Sequence, residues 1–490
     1  MKKLLLFILC PMFLFGQTQI GNDIDGESEG DFLGGSVSLS SDGNIVAIGA
    51  EFNDGSGSFS GHVRVYKKDG GVWIQIGKDI DGEAVGDNLG SSVCLSSDGS
   101  VLAIGAKYND GNGINSGHVR VYKNNNEIWE QIGTDINGEA EGDNSGYSVS
   151  LSSDGTIVAI GAINYDFGNS SNNGLNSGHV RIYKNNDGVW EQIGSSIDGE
   201  AAADDSGFSV SLSSDGSIVA IGAPGNKGNG SSSGHVRIYK NNDGIWEQIG
   251  TDINGEASQD YSGSSVSLSS DGSIVAIGAP GNDSRYGHVR VYKNNNEVWE
   301  QIGTDINGEA QGDNSGSSVS LSSDGSIVAI GATDNDGNGS SSGHIRIYKN
   351  NNGVWEQIGT DINGEFSGDS SGISVNLSSD GNIIAIGAPL NSENGSNSGH
   401  VRVYDLSAIL SSDTYVFSKF DLYPNPTKYS FTIDIEDNLE VEKVSIYNNL
   451  GQFIKSTKEL TINTTNLNTG IYFVEIETTN GKATKKLIVE

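Results

Sequence analysis

The chain has 490 residues, 63 of them acidic and 28 basic, for a net charge of −35. A field of that sign repels nucleic acid and anionic membranes and draws cations or basic surfaces. Glycine, at 70 residues, has about twice its ordinary share, and the two cysteines are too few for a disulfide scaffold.

Met1-Lys2-Lys3 leads into an apolar run, Leu4 to Phe15, interrupted only by Cys10 and Pro11, and Gly16 then precedes a polar stretch. A basic start, a short apolar segment and a small residue describe a secretory signal peptide, expected over residues 1–16 with cleavage after Gly16. Acylation of Cys10 is the rival reading, which bulky Leu9 disfavours. No later stretch reaches the roughly 20 apolar residues of a spanning helix, so no membrane insertion is expected. Removal of Cys10 leaves Cys94, at a place where every sister repeat has Ser or Asn. Inside a strand it is expected to be an inert small side chain.

From Gln17 to Tyr404 the chain repeats. Leu-Ser-Ser-Asp-Gly begins at Leu39, Leu95, Leu151, Leu212, Leu268, Leu321 and Leu377, at steps of 56, 56, 61, 56, 53 and 56 residues. In the second unit Ser92 to Ser96 alternates as a strand, and Asp98-Gly99 predicts a type I′ hairpin turn. Ser100 to Ala106 is apolar throughout, as suits a strand buried on both faces. After a variable Gly/Asn/Asp loop come a third strand, Gly117 to Tyr122, a turn at Asn124 to Asn126, and a fourth strand, Ile128 to Ile132. Seven such units predict an all-β fold, a seven-bladed β-propeller with four-stranded antiparallel blades over residues 17–404.

The fourth strand carries a tryptophan six times, at Trp73, Trp129, Trp190, Trp246, Trp299 and Trp355. The seventh unit stops at Tyr404 without one, whereas Gln19-Ile20-Gly21 matches Gln131-Ile132-Gly133. The N-terminal strand is therefore expected to complete the seventh blade and close the ring.

Gly263 to Val266, Ile277-Gly278-Ala279-Pro280 and Gly287 to Tyr292 resemble FG-GAP repeats, a family of surface-protein propellers, over about residues 19 to 404. The family phenylalanine is Leu33 or Leu89 in two copies and Ser in five. Ser-Ser-Asp-Gly stands where integrin-type repeats have a longer Asp-rich calcium loop, so those calcium sites do not carry over.

Residues 405–419 read as a linker, and the remainder has seven Lys but neither Arg nor Trp. Leu422 to Thr427, Val444 to Gln452, Thr469 to Val474 and Gly481 to Val489 alternate as strands between Asn/Gly turns, predicting a small immunoglobulin-like β-sandwich over 420–490. In order, these motifs closely resemble the type A C-terminal sorting domain of the Bacteroidetes type IX secretion system. The resemblance implies passage through the periplasm, recognition of residues 420–490 by the secretion machinery, and a secreted or outer-surface product.

Candidate chemistry is sparse. Each blade connection repeats a Glu and an Asp four residues apart: Glu27/Asp31, Glu83/Asp87, Glu139/Asp143, Glu200/Asp204, Glu256/Asp260, Glu309/Asp313 and Glu365/Asp369. Such carboxylates suit a hard cation, but presence in every blade favours bracing of loop amides. Asp334 and Asp336, in Asp334-Asn335-Asp336-Gly337, are candidate calcium ligands, although no Glu stands at the twelfth position. The seven histidines, one per third strand beside an arginine, cannot converge on one metal and read as packing residues. No nucleophile, zincin or phosphate-loop motif occurs, so no catalytic residue is assigned. The features peculiar to one blade are the binding candidates: Tyr165, Asp166 and Phe167 in the third, Arg285 and Tyr286 in the fifth. The expected function is binding or adhesion to an extracellular glycan or protein; the alternatives are a polysaccharide hydrolase or lyase, or a surface-coat protein.

Overall fold

A computed structural model describes residues 16–164, 175–410, 419–435, 441–449, 451–478 and 481–490. It has two compact units, Thr18–Asp405 and one containing Leu406–Glu490.

The larger unit contains seven sheets of one plan, each a repeated four-stranded antiparallel blade. The second consists of Leu89–Leu95, Val101–Ala106, His118–Asn125 and Ile128–Gln131, in that spatial order. Val101–Ala106 is buried along its whole length, as its unbroken apolar run requires. Two local details depart from expectation. At the first hairpin Asp98 does not adopt a left-handed conformation: Gly99 alone does, at φ +69°, and its amide donates to the Ser96 carbonyl at 2.9 Å. The Asp98 carboxylate accepts from the Ser96 hydroxyl and the Ser100 amide, which fixes a type I turn followed by a bulge glycine. The left-handed pair expected there falls instead on the outer hairpin, at Asn126 (φ 53°) and Glu127 (φ 66°).

The second departure concerns the connection between blades, which is itself part of a sheet. Ile136–Asn137 pairs with His118 and Val119, the half of the third strand that Ile128–Gln131 leaves uncovered. Each blade thus gains a two-residue fifth strand that satisfies backbone groups otherwise exposed at its edge.

The seventh sheet is completed from the N-terminus. Thr18 and Gln19 pair with Asp405 and Tyr404, and Ile24 and Asp25 with Val401 and His400. The Ile20 amide adds a 2.7 Å bond to the Val403 carbonyl.

Successive sheets are joined by hydrogen bonds that return to their start. The Ser41 amide donates to Ser97, Ser97 to Ser153, and so through Ser214, Ser270 and Ser323 to Ser379, whose amide donates back to Ser41, all at 2.8–2.9 Å. A second circle runs from side chains at the Cys94 position. Ser38 accepts from the Leu95 amide, Cys94 from Leu151, and finally Asn376 from Leu39. Between sheets lie apolar cores, such as Val63, Val65 and Ile76 against Leu89, Leu102 and Ile104. The glycine inside each second strand permits the close approach: a Cβ on Gly105 would lie 2.1 Å from the Gly146 carbonyl of the next sheet. Each tryptophan Nε1 donates to an isoleucine carbonyl of the preceding sheet, from Trp73 to Ile20 (3.0 Å) through Trp355 to Ile302 (2.9 Å).

In the smaller unit a three-stranded sheet (Phe420–Tyr423, Ser430–Ile435, Thr461–Asn463) and a four-stranded one (Phe453–Thr457, Val441–Asn448, Gly470–Thr478, Gly481–Val489) share one core. Phe431, Val444, Val474 and Leu487 are its centre. The stretch expected as linker starts with structure: Asp405 ends a strand, Ser407–Leu410 is a helical turn, and Leu406 and Ile409 are buried. Residues 411–418 lie outside the described residues.

Candidate functional site

The repeated acidic pairs divide their labour. Every Asp of the set is buried, at most 3% exposed. Asp31 Oδ2 accepts from the Ser28 and Glu27 amides at 2.9 and 3.2 Å, and Oδ1 accepts from Asn53 Nδ2 at 3.1 Å. Asp260 and Asp369 cap their loops in the same way. Burial pushes Asp143 up to about 6. The glutamates face the arginines of the third strands at 3.3 to 3.7 Å, from Glu27–Arg64 to Glu256–Arg290. Each arginine stacks over a tyrosine at 5.5 to 6.0 Å, and Arg64 Nη2 also donates to the Asp25 carbonyl of the neighbouring sheet at 2.8 Å. These residues tie one blade to the next.

The histidines are buried to 2% exposure or less. Burial foremost, then the adjacent arginine, pushes His118, His235 and His400 down to about 4, so they are neutral imidazoles at ordinary pH. They do not gather at one point. Each of several instead meets acids of two connections: His62 Nδ1 lies 3.9 Å from Asp79 Oδ2, with Glu27 alongside, and His118, His235 and His288 have the same company. The signal for this was present, because an Asp stands seventeen residues after five of the histidines, with Ser196 replacing it in the third blade. Reading the histidines along their strands hid it, since the pairing becomes local only when Ile-Asp folds back as the fifth strand.

An asymmetric feature among the described residues lies in the fifth sheet. Between its second and third strands the loop is short and makes one turn, Asn282–Arg285, in which Asp283, Ser284 and Arg285 all take positive φ, 46°, 62° and 71°. Three consecutive non-glycine residues in that region are strained. They flank a cavity of about 1120 Å³ lined by Gln259, Tyr261, Asp283, Arg285, Gln311 and Asn314, among others. Tyr261 is 41% exposed. Arg285 Nε donates to Asn314 Oδ1 at 3.1 Å, and its Nη2 lies 3.5 Å from Asp334 Oδ2. Asn314 also donates to Asp334.

Two candidates from separate blades, Arg285 and Asp334, are thus brought into one polar network. Asp336 turns elsewhere, accepting from the Ser341 amide at 2.8 Å. Tyr286 is half-buried and outside the cavity lining; its carbonyl accepts from the Ser315 amide. Tyr165, Asp166 and Phe167 lie outside the described residues. Cys94 lines a 190 Å³ cavity at the ring of inner strands, and burial pushes its thiol up to about 11, far from a nucleophilic thiolate.

Residues 421–490 match the family of secretion system C-terminal sorting domains. The sorting domain directs export through the type IX secretion system to the cell surface or the extracellular space. An ulvan lyase from Nonlabens ulvanivorans is 37% identical over 89 residues, 17% of this chain and 16% of that protein, so the likeness spans a small part of either. Among solved structures, a periplasmic gluconolactonase from Pseudomonas aeruginosa is 14% identical with a TM-score of 0.47, covering 68% of this chain and 85% of its own. A candidate 6-phosphogluconolactonase from Bacteroides uniformis is 14% identical with a TM-score of 0.46, over 67% and 85%.

Proposed function

We propose that the chain is a seven-bladed propeller of the FG-GAP kind, closed by its N-terminal strand and followed by an immunoglobulin-like sorting domain. Outside the cell it acts as a binding module for a glycan, through the cleft at Arg285. The observation that carries this reading is the cleft itself. In a ring whose repeated polar residues all serve blade-to-blade contacts, it is where one blade departs from the plan and presents an exposed guanidinium and an exposed aromatic ring. A tyrosine face with amide and guanidinium donors around it suits a sugar, whose hydroxyls need hydrogen bonds and whose C–H faces need an apolar platform.

The ulvan lyase likeness favours an alternative, an enzyme acting on polysaccharide, but 89 residues cannot span the larger unit. The test is a glycan array probed with the purified chain and with Arg285→Ala and Tyr261→Ala. Binding of particular glycans by the parent and its loss in both variants is expected. Retained binding in both variants would move the site elsewhere, and turnover of any bound polysaccharide would overturn the binding reading in favour of the enzyme.

A further inference from the structure

At the seam of the ring, one histidine cluster differs from its sisters. His400 is fully buried, and its Nδ1 has no hydrogen-bond partner. That nitrogen lies 3.6 Å from Asp23 Oδ2 and 3.9 Å from Glu365 Oε2, and a carboxylate oxygen of Glu393 completes a group whose atoms all lie within 4.8 Å of one another. These separations are too long for hydrogen bonds. The two shorter separations, from His400 to Asp23 and Glu365, approach the edges of a coordination tetrahedron, which for bonds of roughly 2.1 Å measure about 3.4 Å. Three carboxylates so close together repel one another, and Arg402, 3.6 Å from Glu365 Oε1, is one cation against three.

From this geometry we infer that Asp23, Glu365, Glu393 and His400 form a binding site for one divalent transition-metal ion, of the zinc or manganese kind. One neutral imidazole and three carboxylate oxygens suit such an ion better than calcium, which takes oxygen ligands. The supporting contacts are those a metal site needs. Gln19 Nε2 donates to Asp23 Oδ1, Arg402 holds the second oxygen of Glu365, and the Glu393 amide is fixed by Asn391 Oδ1 at 2.9 Å.

Glu393 makes this cluster singular. In four sister loops the corresponding residue, two after the repeated Asn, is Gly55, Gly111, Gly228 or Gly337, and the sister clusters at His62, His118, His235 and His288 comprise three residues. The four ligands come from three places in the chain: Asp23 from the N-terminal segment, Glu365 from the connection out of the sixth sheet, and Glu393 and His400 from the seventh. This is also the seam without an indole bond, because two residues before Gln19, where the sister repeats have tryptophan, the sequence has Gln17. A bound ion would clasp the N-terminal strand where that link is missing.

The experiment uses the full exported chain after metal removal with EDTA. Zinc or manganese chloride should raise the melting temperature more than equal concentrations of calcium or magnesium chloride, and calorimetric titration should show one tight event. Glu393→Gln, an exposed position, should leave the metal-free melting temperature no lower, since it relieves the repulsion among the carboxylates, and weaken that event by at least about tenfold. His400→Gln should abolish it. Unchanged affinity in Glu393→Gln, or no shift from zinc and manganese beyond that from calcium, overturns the site.

Discussion

Replacing Ile20 by proline isolates what the N-terminal strand contributes to closure. Gln19 is already extended in a strand, as the residue before a proline must be. The ring removes the amide that donates to Val403 at 2.7 Å and leaves that carbonyl, on a residue 1% exposed, without its partner. Such an orphan costs about 1–3 kcal/mol, and shortening a side chain packed with Trp73 against the core adds about 1 kcal/mol. The carbonyl of residue 20 still accepts from Trp73. For a unit of roughly 390 residues the unfolding entropy is about 0.8 kcal/mol/K, so a loss of 2–4 kcal/mol shifts its melting by about 3–5 °C. Calorimetry of Ile20→Pro beside Ile20→Val, which keeps the donor, reads the difference. Melting of the two variants within 1 °C of each other would refute the claim that this strand fastens the ring.

Acidification should weaken the larger unit. His118 and His235 titrate near 4 when folded but near 6.5 when unfolded, so their stabilisation is complete above pH 6.5 and drains away as pH falls from there toward 4. Each contributes on the order of 1–2 kcal/mol by pH 5, against the opposite and smaller effect of the raised Asp143; a urea midpoint at pH 5 equal to that at pH 7.5 would contradict this. Cys94→Ser should change stability by less than about 1 kcal/mol, because serine fills that place in sister blades and can accept from the Leu151 amide. A urea midpoint corresponding to a loss above about 2 kcal/mol would assign the thiol a role of its own. One oxygen of each candidate calcium ligand is already engaged, Asp334 Oδ2 by Arg285 and Asp336 Oδ1 by the Ser341 amide. Calcium and sodium chloride at matched ionic strength should therefore shift melting equally, and a calcium-specific shift abolished by Asp334→Asn with Asp336→Asn would establish the loop as a site.

Much of the fold was legible because the repeat reports it seven times over. The spacing of Leu-Ser-Ser-Asp-Gly, the two-sided apolar run Ser100 to Ala106 and the missing seventh tryptophan predict the blades and the N-terminal pairing without reference to contacts. The tail was legible as a series of motifs, since alternation and turn residues are local properties. The cleft was half legible: Arg285 stood out as an irregularity, but the Arg285–Asn314–Asp334 network joins residues up to 49 positions apart, and nothing local announces it. Turn type was misread at Asp98-Gly99 because both turns use the same residues, and the choice fell to the Ser96 hydroxyl reaching the carboxylate.

What the sequence alone determined is therefore whatever depends on periodicity: strand order within a blade, blade repetition, and the separate tail. What only the tertiary structure decided is which charges meet. The Glu/Asp pairs look alike along the chain, yet folding buries the aspartate under loop amides and turns the glutamate to an arginine. It also sets His400 against Asp23, residues 377 positions apart that meet only when the last sheet takes its outer strand from the first residues of the ring. Hydrophobic and turn patterns are written locally because they act on a residue and its neighbours. Electrostatic partnerships arise between segments whose proximity exists only after closure.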